Sequence, residues 1–306
     1  MATSTTISTS YNGQYAGEII SRALFSASTL ENNLISFKPN VKYKTILKRL
    51  STGSLIQAAG CDFDANSTIS LDERELEVVK LKVNLQVCKD DFMDDYLALE
   101  MGNSAHGELP KSFGDHLIGE MSKKVANEME TKIWNNSTEF DGFEVLFAAD
   151  ATVIDVVGEA ITSANVVTEL GKVHAAIPVS LITNPDLTIY VSQSVASAYV
   201  IALGGFAAAG QGAAGLGDQG SMWYNGQSLS FAGIKIVVAN GLTQGNMVAT
   251  TKENLVFGTS LMSDLQEIKV IDMENIDGSD NVRFIMKMTA GVQYAYGADV
   301  VYYAQA

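Results

Sequence analysis

Apolar residues recur at every fourth position along residues 109–136, and this spacing predicts one long helix. Polar residues separate the members of the stripe, which are Phe113, Leu117, Met121, Val125, Met129 and Ile133. Pro110 suits the first turn, where its missing N–H costs nothing. At the usual rise, a helix of this length extends about 42 Å. A stripe of this kind predicts packing against a sheet.

Other segments alternate with a period of two residues, which predicts strands. Residues 76–87 predict one long strand with a phase slip near residues 79–81. With the preceding SLIQAAGCDF they indicate a two-stranded excursion. Later strands are predicted at 187–191 and within GIKIVVANGL, NMVATTKENLVFG, LQEIKVIDM, VRFIMKMTAG and DVVYYA, so that the chain ends as an antiparallel sheet.

Further helices are predicted at 13–30, 163–176 and 192–204. The last begins at Ser192, a favourable N-terminal residue, and ends before a Gly/Ala loop at 205–221. Residues 1–10 predict an arm. Together the elements indicate an α+β fold.

Charge is almost missing from residues 173–234, where Asp186 and Asp218 are the formal charges. Such a segment can enter a membrane, line a large core or lie between copies of the chain, because interface cores are poor in charge. Polar residues interrupt 187–209 and no flanking Lys or Arg is present, which disfavours a membrane span. A core and an interface between copies remain the two alternatives.

The chain as a whole is acidic, with a net charge of −15. This opposes broad phosphate binding and predicts weak or no direct binding to DNA. Cys61 and Cys88 are too few for a disulfide framework, and MATSTTISTS has no secretory signal, so we expect intracellular folding. The sequence also contains one basic and one acidic cluster. These clusters either dock against each other, within one subunit or between neighbours, or form an ordinary solvated surface. The basic cluster is Lys42, Lys44, Lys48 and Arg49, and the acidic cluster is Asp90, Asp91, Asp94 and Asp95.

Residues 62–73 match the spacing of a twelve-residue calcium loop. The ligand positions would be Asp62, Asp64, Asn66, Thr68, Ser70 and Glu73. Against this assignment, Ser67 stands where the sharp turn needs Gly, and the flanks predict strands where helices are expected. A polar hairpin tip is the favoured alternative.

Residues 210–215, GQGAAG, satisfy the glycine pattern of dinucleotide sites, but the context differs. A phosphate-binding version follows a strand and precedes a helix, whereas a helix is predicted before this one. His106, His116 and His174 are scattered and show no metal or catalytic spacing. We therefore predict no enzyme activity, no cofactor and no firm metal site.

The order of these elements resembles the major capsid proteins of tailed bacteriophages, which have the Hong Kong 97 fold. The resemblance extends over the whole chain and includes LEVVKLKVNLQVCKDDF (76–92), ENLVFGTSLMSDLQEIKVIDM (253–273) and FIMKMTAGVQYAYGADVVYYA (284–304). It implies an N-arm (1–38), an E-loop hairpin (39–90), a peripheral domain (91–149 and 256–306) with residues 109–136 as its spine helix, and an axial domain (150–255).

The resemblance implies a structural protein that assembles with itself into pentamers and hexamers of an icosahedral shell around a double-stranded DNA genome. A scaffolding protein, a portal and decoration proteins are further implied partners, and no membrane is. The expected location is the virion, assembled in the host cytoplasm. Some relatives crosslink Lys to Asn between subunits, but nothing in the sequence selects Lys80 or Lys82 for this role.

Three other functions stay open at this stage. An encapsulin, a cellular protein compartment with the same fold, would bind cargo and package no genome. A calcium-stabilised surface protein rests on residues 62–73. A nucleotide-dependent enzyme rests on GQGAAG alone and is the weakest of the three.

Overall fold

The computed structural model of the chain describes residues 8–12, 27–53, 56, 69–88, 111–203, 229–260 and 267–305. The helices are α1 (Ser28–Glu31), α2 (Lys111–Trp134), α3 (Phe143–Ala149), α4 (Val166–Ala176), α5 (Val179–Ile182), α6 (Gln193–Ala202) and α7 (Glu274–Asp277). The strands are β1 (Ser8–Asn12), β2 (Ser36–Lys38), β3 (Lys44–Thr52), β4 (Ile69–Glu77), β5 (Val79–Cys88), β6 (Ile154–Gly158), β7 (Leu187–Val191), β8 (Ser230–Phe231), β9 (Ile234–Val238), β10 (Met247–Thr251), β11 (Leu255–Gly258), β12 (Glu267–Asp272), β13 (Asn281–Tyr294) and β14 (Val301–Gln305).

The long helix α2 confirms the prediction for residues 109–136 and packs as its stripe indicates. Val125, Met129 and Ile133 are buried in one core cluster with Phe284 and Met286 of β13. Trp134, the last residue of the helix, is fully buried there as well and lies outside the predicted stripe. The helix therefore covers one face of a sheet.

That sheet, called sheet 1, has the strand order β1-β12-β13-β11-β2, with β5 also paired to β13. The fourteen-residue β13 is its centre, because β5, β12 and β11 all pair with it. Alternate residues of β5 and β13 face α2, since successive side chains of a strand point to opposite faces. The other face of sheet 1 points away from this helix.

Sheet 2 has the order β6-β14-β10-β7-β9-β8, and its strands β14, β10 and β7 are buried on both faces over most of their length. Tyr302 of β14 joins the core beneath α2, whereas its neighbours Val301 and Tyr303 join a second core with α4 and α6. β14 runs parallel to β6 and antiparallel to β10. The prediction that the chain ends as antiparallel sheet is confirmed for the pairs β10–β14, β11–β13 and β12–β13, but the late strands divide between two mixed sheets in which earlier strands add parallel pairs.

The excursion before sheet 1 is an antiparallel hairpin of β3 and β4, in register from Lys44–Glu77 to Thr52–Ile69. The prediction of one strand across residues 76–87 is wrong. The chain leaves the hairpin at Val78 and enters sheet 1 as β5, so the apparent phase slip is a change of pairing partner. The predicted partner SLIQAAGCDF lies almost entirely outside the described residues, and the observed partner of β4 is β3.

Other predictions compare directly with the structure. The strand at 187–191 is confirmed as β7, and helices 163–176 and 192–204 are confirmed as α4 and α6 with shorter ends. Ser192 precedes α6, but its hydroxyl accepts a hydrogen bond from the Gly245 N–H (2.9 Å) instead of capping the helix. Of the predicted helix 13–30, the structure describes the short α1. Residues 1–7 of the predicted arm and the loop 205–221 lie outside the described residues.

Many residues of the charge-poor segment 173–234 are buried in the core of the chain itself. Ile189 and Tyr190 of β7 and Val195 and Tyr199 of α6 are buried within the chain. Within the described ranges, no helix combines the length and the apolarity that crossing a bilayer requires. Of the alternatives for this segment, an internal core is confirmed for β7 and α6.

A buried carboxylate fixes the chain around α1 to the long helix. Glu130 of α2 accepts hydrogen bonds from the backbone N–H of Thr29 (2.9 Å) and from its hydroxyl (2.5 Å). Trp134 Nε1 donates to the same hydroxyl (2.9 Å), and the Tyr190 hydroxyl donates to the Leu34 carbonyl (2.6 Å). These bonds satisfy polar groups that would be costly to bury alone, and they anchor residues 29–34.

Close backbone contact at Gly291 provides a stability test. A Cβ at this position would lie 2.1 Å from the Glu77 carbonyl oxygen, whereas a Cβ at Gly171 of α4 would meet nothing within 4 Å. We expect Gly291→Ala to lower the free energy of unfolding by about 1–3 kcal/mol, because backbone must move. The matched control Gly171→Ala should raise it by about 0.5–1 kcal/mol through helix propensity. Urea denaturation measures the free energy of unfolding of both variants. Equal free energies would contradict the close backbone contact between Gly291 and Glu77.

Candidate assembly surfaces

The β3–β4 hairpin has two faces of different character. Residues directly opposite in register share a face. The inner face carries Leu47, Arg49, Arg74 and Leu76, which are partly or fully buried against the body. The outer face is exposed at every position for which burial is described. The hairpin is therefore attached to the body through one face alone.

Arg74 makes the main polar contact of the inner face. Its guanidinium forms an ion pair with Asp150 and lies over the Tyr294 ring, with 4.2 Å from Cζ to the ring centroid. The Tyr294 hydroxyl donates to Asp150 Oδ2 (2.6 Å), and Thr152 donates to Oδ1 from its N–H (2.9 Å) and its hydroxyl (2.7 Å). Both carboxylate oxygens of Asp150 are thus satisfied.

The protonation of this cluster follows from its contacts. Burial raises the pKa of Asp150, but hydrogen bonds from Tyr294 and Arg74 outweigh it and hold that pKa well below its ordinary value. Burial and the Asp150 carboxylate raise the pKa of Tyr294 to about 12. The cluster therefore contains a carboxylate, a guanidinium and a neutral phenol at neutral pH.

Weaker contacts support the same face. Arg49 donates to the Ala295 carbonyl (3.3 Å), and the Leu50 N–H donates to the Tyr296 hydroxyl (3.4 Å). Gln293 donates from its side chain to the Glu75 carbonyl (3.1 Å). All these partners lie at the end of β13 or just after it, so the hairpin is held at one place on the body.

The outer face of the hairpin presents large apolar side chains to solvent. Ile46, Leu50, Ile69 and Leu71 are 46%, 54%, 66% and 58% exposed, and Leu50 lies directly opposite Leu71. Single exposed apolar residues are ordinary, but several on one strand pair indicate a surface that another molecule covers. This face is our first candidate assembly surface.

A second set of exposed apolar residues belongs to the lobe of α4, α5 and α6. Val179 of α5 is 83% exposed, and Val157 of β6 is 77% exposed; Val167, Ile182, Ile201 and Leu203 are exposed to smaller degrees. Charge is sparse around the members that lie within the charge-poor segment (Val179, Ile182, Ile201 and Leu203), since Asp186 is the formal charge between residues 173 and 203. The part of the charge-poor segment that the core leaves exposed therefore has the composition of an interface.

Most of the residues singled out from the sequence lie outside the part of the chain that the structure describes, and the described ones do not form one site. Ser70 and Glu73 of the predicted calcium loop lie on β4, on opposite faces by strand periodicity. Asp62, Asp64, Asn66 and Thr68 lie outside the described residues, as do the GQGAAG segment, His106 and the acidic cluster 90–95. The calcium loop stays a prediction. In the part of the chain that the structure describes, no three His, Cys, Asp or Glu side chains are placed to hold a metal ion.

The basic cluster that the sequence indicated is divided by the hairpin. Lys44 lies on the outer face and pairs with Glu75 (3.0 Å) and Glu77 (3.2 Å), whereas Arg49 lies on the inner face beside Asp72 (3.7 Å). Sequence reasoning missed Arg74, Asp150 and Tyr294 entirely. A partly buried ion pair between residues 76 positions apart, Arg74 and Asp150, leaves no local signal in the sequence.

We expect Asp150→Asn to loosen the hairpin, because it leaves the Arg74 guanidinium partly buried without its counter-charge. Hydrogen exchange at the amides of residues 69–77 should accelerate about tenfold or more at pH 7. The control Asp72→Asn removes an exposed carboxylate that lies 3.7 Å from Arg49 in the same hairpin, and it should change little, because a long contact to an exposed charge is weak.

The same variant has a defined pH dependence. Since folding lowers the pKa of Asp150, its stabilisation is fully present above the ordinary carboxyl pKa, about 4, and is lost as the pH falls further. The difference between Asp150→Asn and the unmodified chain should therefore be constant from pH 5 to 7 and shrink below pH 4. A difference that grew on acidification would contradict this role.

Comparison with known proteins places this geometry in context. No family model and no curated protein matches the sequence. Solved structures do match over most of the chain. The satellite phage P4 procapsid has a TM-score of 0.57 at 12% identity, covering 94% of this chain and 98% of that one. The capsid of a native GTA particle has a TM-score of 0.57 at 14% identity, covering 100% and 95%.

A virus-like particle from Pyrococcus furiosus is also similar, with a TM-score of 0.50 at 7% identity, covering 94% of this chain and 96% of that one. At these identities the likeness concerns the fold, and it includes nearly all of both chains in each case. The chain therefore has the α+β fold of phage capsid shell proteins.

Proposed function

We propose that this chain is the major capsid protein of a tailed bacteriophage, whose copies assemble into an icosahedral shell around a double-stranded DNA genome. The observation that carries the proposal is the apolar outer face of the β3–β4 hairpin, exposed on a chain whose fold is that of shell proteins. Covering this face in a neighbouring copy removes apolar area from water, which favours association.

We assign the segments of the chain from its resemblance to capsid proteins with the Hong Kong 97 fold. Residues 1–38 form an N-arm, 39–90 an E-loop that contains β3 and β4, and 150–255 an axial domain. Residues 91–149 and 256–306 form a peripheral domain, with α2 as its spine helix. β14 falls in the last range by sequence but pairs within sheet 2, so this strand connects the axial and peripheral domains.

Assembly through such surfaces needs no covalent or catalytic reaction. Each copy offers the hairpin face and the exposed apolar residues of the α4–α6 lobe, and each contact is weak by itself. A closed shell repeats these contacts many times, and multivalent association holds together what a single contact does not. The structural role we assign is thus a consequence of geometry and copy number.

The partners and the location follow from this role. We infer contacts with a scaffolding protein, a portal and decoration proteins, little direct contact with DNA, and a place in the virion after assembly in the host cytoplasm. The net charge of −15 supports the inference about DNA, because phosphates are repelled by an acidic shell.

A cellular compartment built from the same kind of shell is the second candidate, and the phage capsids among the similar structures favour the first. The contents of particles purified from the natural source separate the two. Double-stranded DNA that resists nuclease inside the particle supports the phage head, and protein cargo without DNA supports the compartment.

Expression of the chain alone, followed by light scattering and negative-stain microscopy, tests assembly itself. Closed shells or rings of five or six copies are expected. A chain that stays monomeric at every concentration, with and without a crowding agent, contradicts the proposal. A parallel sample with a calcium chelator tests residues 62–73, since shells that dissolve on chelation would establish a metal role there.

We expect Leu50→Glu combined with Leu71→Glu to abolish assembly, because the two side chains lie opposite each other at the centre of the apolar hairpin face. Both residues are exposed, so the melting temperature of the unassembled chain should change little. Light scattering at matched concentration measures the loss. Ile276→Glu, a substitution of the same kind at a 64% exposed position on α7, is the control and should assemble.

A further inference from the structure

Strand β6 stands at the end of the strand order of sheet 2, where its one partner is β14. The Ile154 N–H donates to the Val300 carbonyl (3.0 Å), so the backbone groups of Ile154 and Val156 point towards β14. The direction of these groups alternates along a strand, and those of Asp155 and Val157 therefore point away from the sheet. Among the described residues, none is a hydrogen-bond partner for the N–H or C=O groups of these two.

The side chains along this open edge alternate between acidic and apolar. Ile154 and Val156 pack against the second core, and Asp155 and Val157 share the opposite face, because residues two apart lie on the same side of a strand. Val157 is 77% exposed, Asp155 is exposed, and the exposed Glu159 follows directly after the strand. An extended partner would therefore meet an acidic, an apolar and a second acidic side chain in succession.

The surroundings of the edge are acidic as well. Residues 141–234 contain eight Asp and Glu residues and one Lys or Arg, which is Lys172. Lys172 is bound to the buried carboxylate of Glu169 (2.8 Å). Arg74 approaches the chain just before β6, but it forms its ion pair with Asp150. The basic groups that reach this region are thus engaged, and the edge favours a cationic partner.

A second copy of β6 is a poor occupant of this edge. Antiparallel pairing of two copies about Val157 would bring Asp155 of each copy opposite Glu159 of the other, and like charges directly opposite each other are destabilising. Charged side chains commonly protect open edges from pairing with identical strands. The same charges attract a cationic strand, so they select the occupant of the edge by its charge.

We propose that β6 binds an extended segment of another protein, which adds to sheet 2 as a further strand. The segment carries Lys or Arg two residues before and two residues after an apolar residue. Its cations then face Asp155 and Glu159, its apolar side chain covers Val157, and its backbone pairs with the free groups of the edge. The edge belongs to the single chain, so this inference goes beyond shell assembly and does not depend on it.

Binding of a synthetic peptide tests the charges and the apolar contact. The probe is an end-capped, fluorescently labelled peptide of sequence KTVTKTVTK, whose anisotropy rises on binding. Asp155→Lys with Glu159→Lys should weaken binding about tenfold or more, because it reverses the charges that attract the peptide. Val157→Ser should weaken it about threefold or more through lost apolar contact. The control Glu128→Lys with Asp186→Lys, at exposed positions on α2 and before β7, changes the net charge equally and should leave binding unchanged.

Hydrogen exchange shows whether the bound peptide pairs as a strand. The amides of Asp155 and Val157 should exchange about tenfold or more slowly when the peptide is bound, because they then donate to its carbonyls. The amides of Ile154 and Val156 already point to β14 and should not change. Raised salt should weaken binding, since the Debye length falls from about 10 Å at 0.1 M to about 3 Å at 1 M.

Two N-methylated forms of the peptide separate backbone pairing from attraction between charges, with no substitution in the chain. One is methylated at its Lys and Val positions and the other at its Thr positions, so each lacks the N–H donors of one edge and keeps its charges. A bound strand turns one edge towards β6. One of the two peptides should therefore bind about tenfold more weakly than the other.

Absence of peptide binding at millimolar concentration, or binding that Asp155→Lys with Glu159→Lys leaves unchanged, would overturn the proposal. Unchanged exchange at Asp155 and Val157, together with equal binding of both methylated peptides, would indicate attraction without strand pairing and overturn it too. Dimers in sedimentation velocity that the Asp155→Lys with Glu159→Lys variant no longer forms would assign the edge to a second copy, again against the proposal. Shell formation is measured separately, so its failure would contradict the proposed function alone.

Discussion

The strands β14, β10 and β7 of sheet 2 are buried on both faces, and both cores of the molecule depend on this. Each of these strands sends alternate side chains into different cores, so that Tyr190 and Tyr302 belong to one core and Ile189 and Tyr303 to the other. Strands buried on both faces must be apolar at nearly every position, which is why the segments LTIYV and VVYYA have no polar alternation. Neither core can be completed without the sheet between them.

The elements that the sequence predicted well have a strong local signal. The helix α2 has a sustained four-residue stripe, and β7 is a short apolar run between a proline-containing turn and a helix, so both were located within a few residues. The prediction of one continuous strand across Val78 is wrong, because alternation shows which face of a sheet a side chain occupies and not which strand is its partner. β4 and β5 alternate equally well, but one pairs with β3 and the other with β13 more than 190 residues later.

The sequence predicts the candidate assembly surfaces only in part. Scarcity of charge between residues 173 and 234 marked a covered segment, but both a core and an interface produce this scarcity, and the structure shows the core contribution. Arg74, Asp150 and Tyr294 meet through contacts that exist only after the chain has folded.

The position of β14 links folding to synthesis. This strand lies between β6 and β10, and its pairing with β6 joins residues about 150 positions apart. Strand pairing over such distances is slow, because the chain must close a long loop before any contact is gained. A ribosome-bound chain that has not yet reached residue 305 therefore lacks one inner strand of sheet 2, β14, and cannot complete either core. For a protein that associates with its own copies, this delay keeps unfinished chains from presenting ordered surfaces to finished ones.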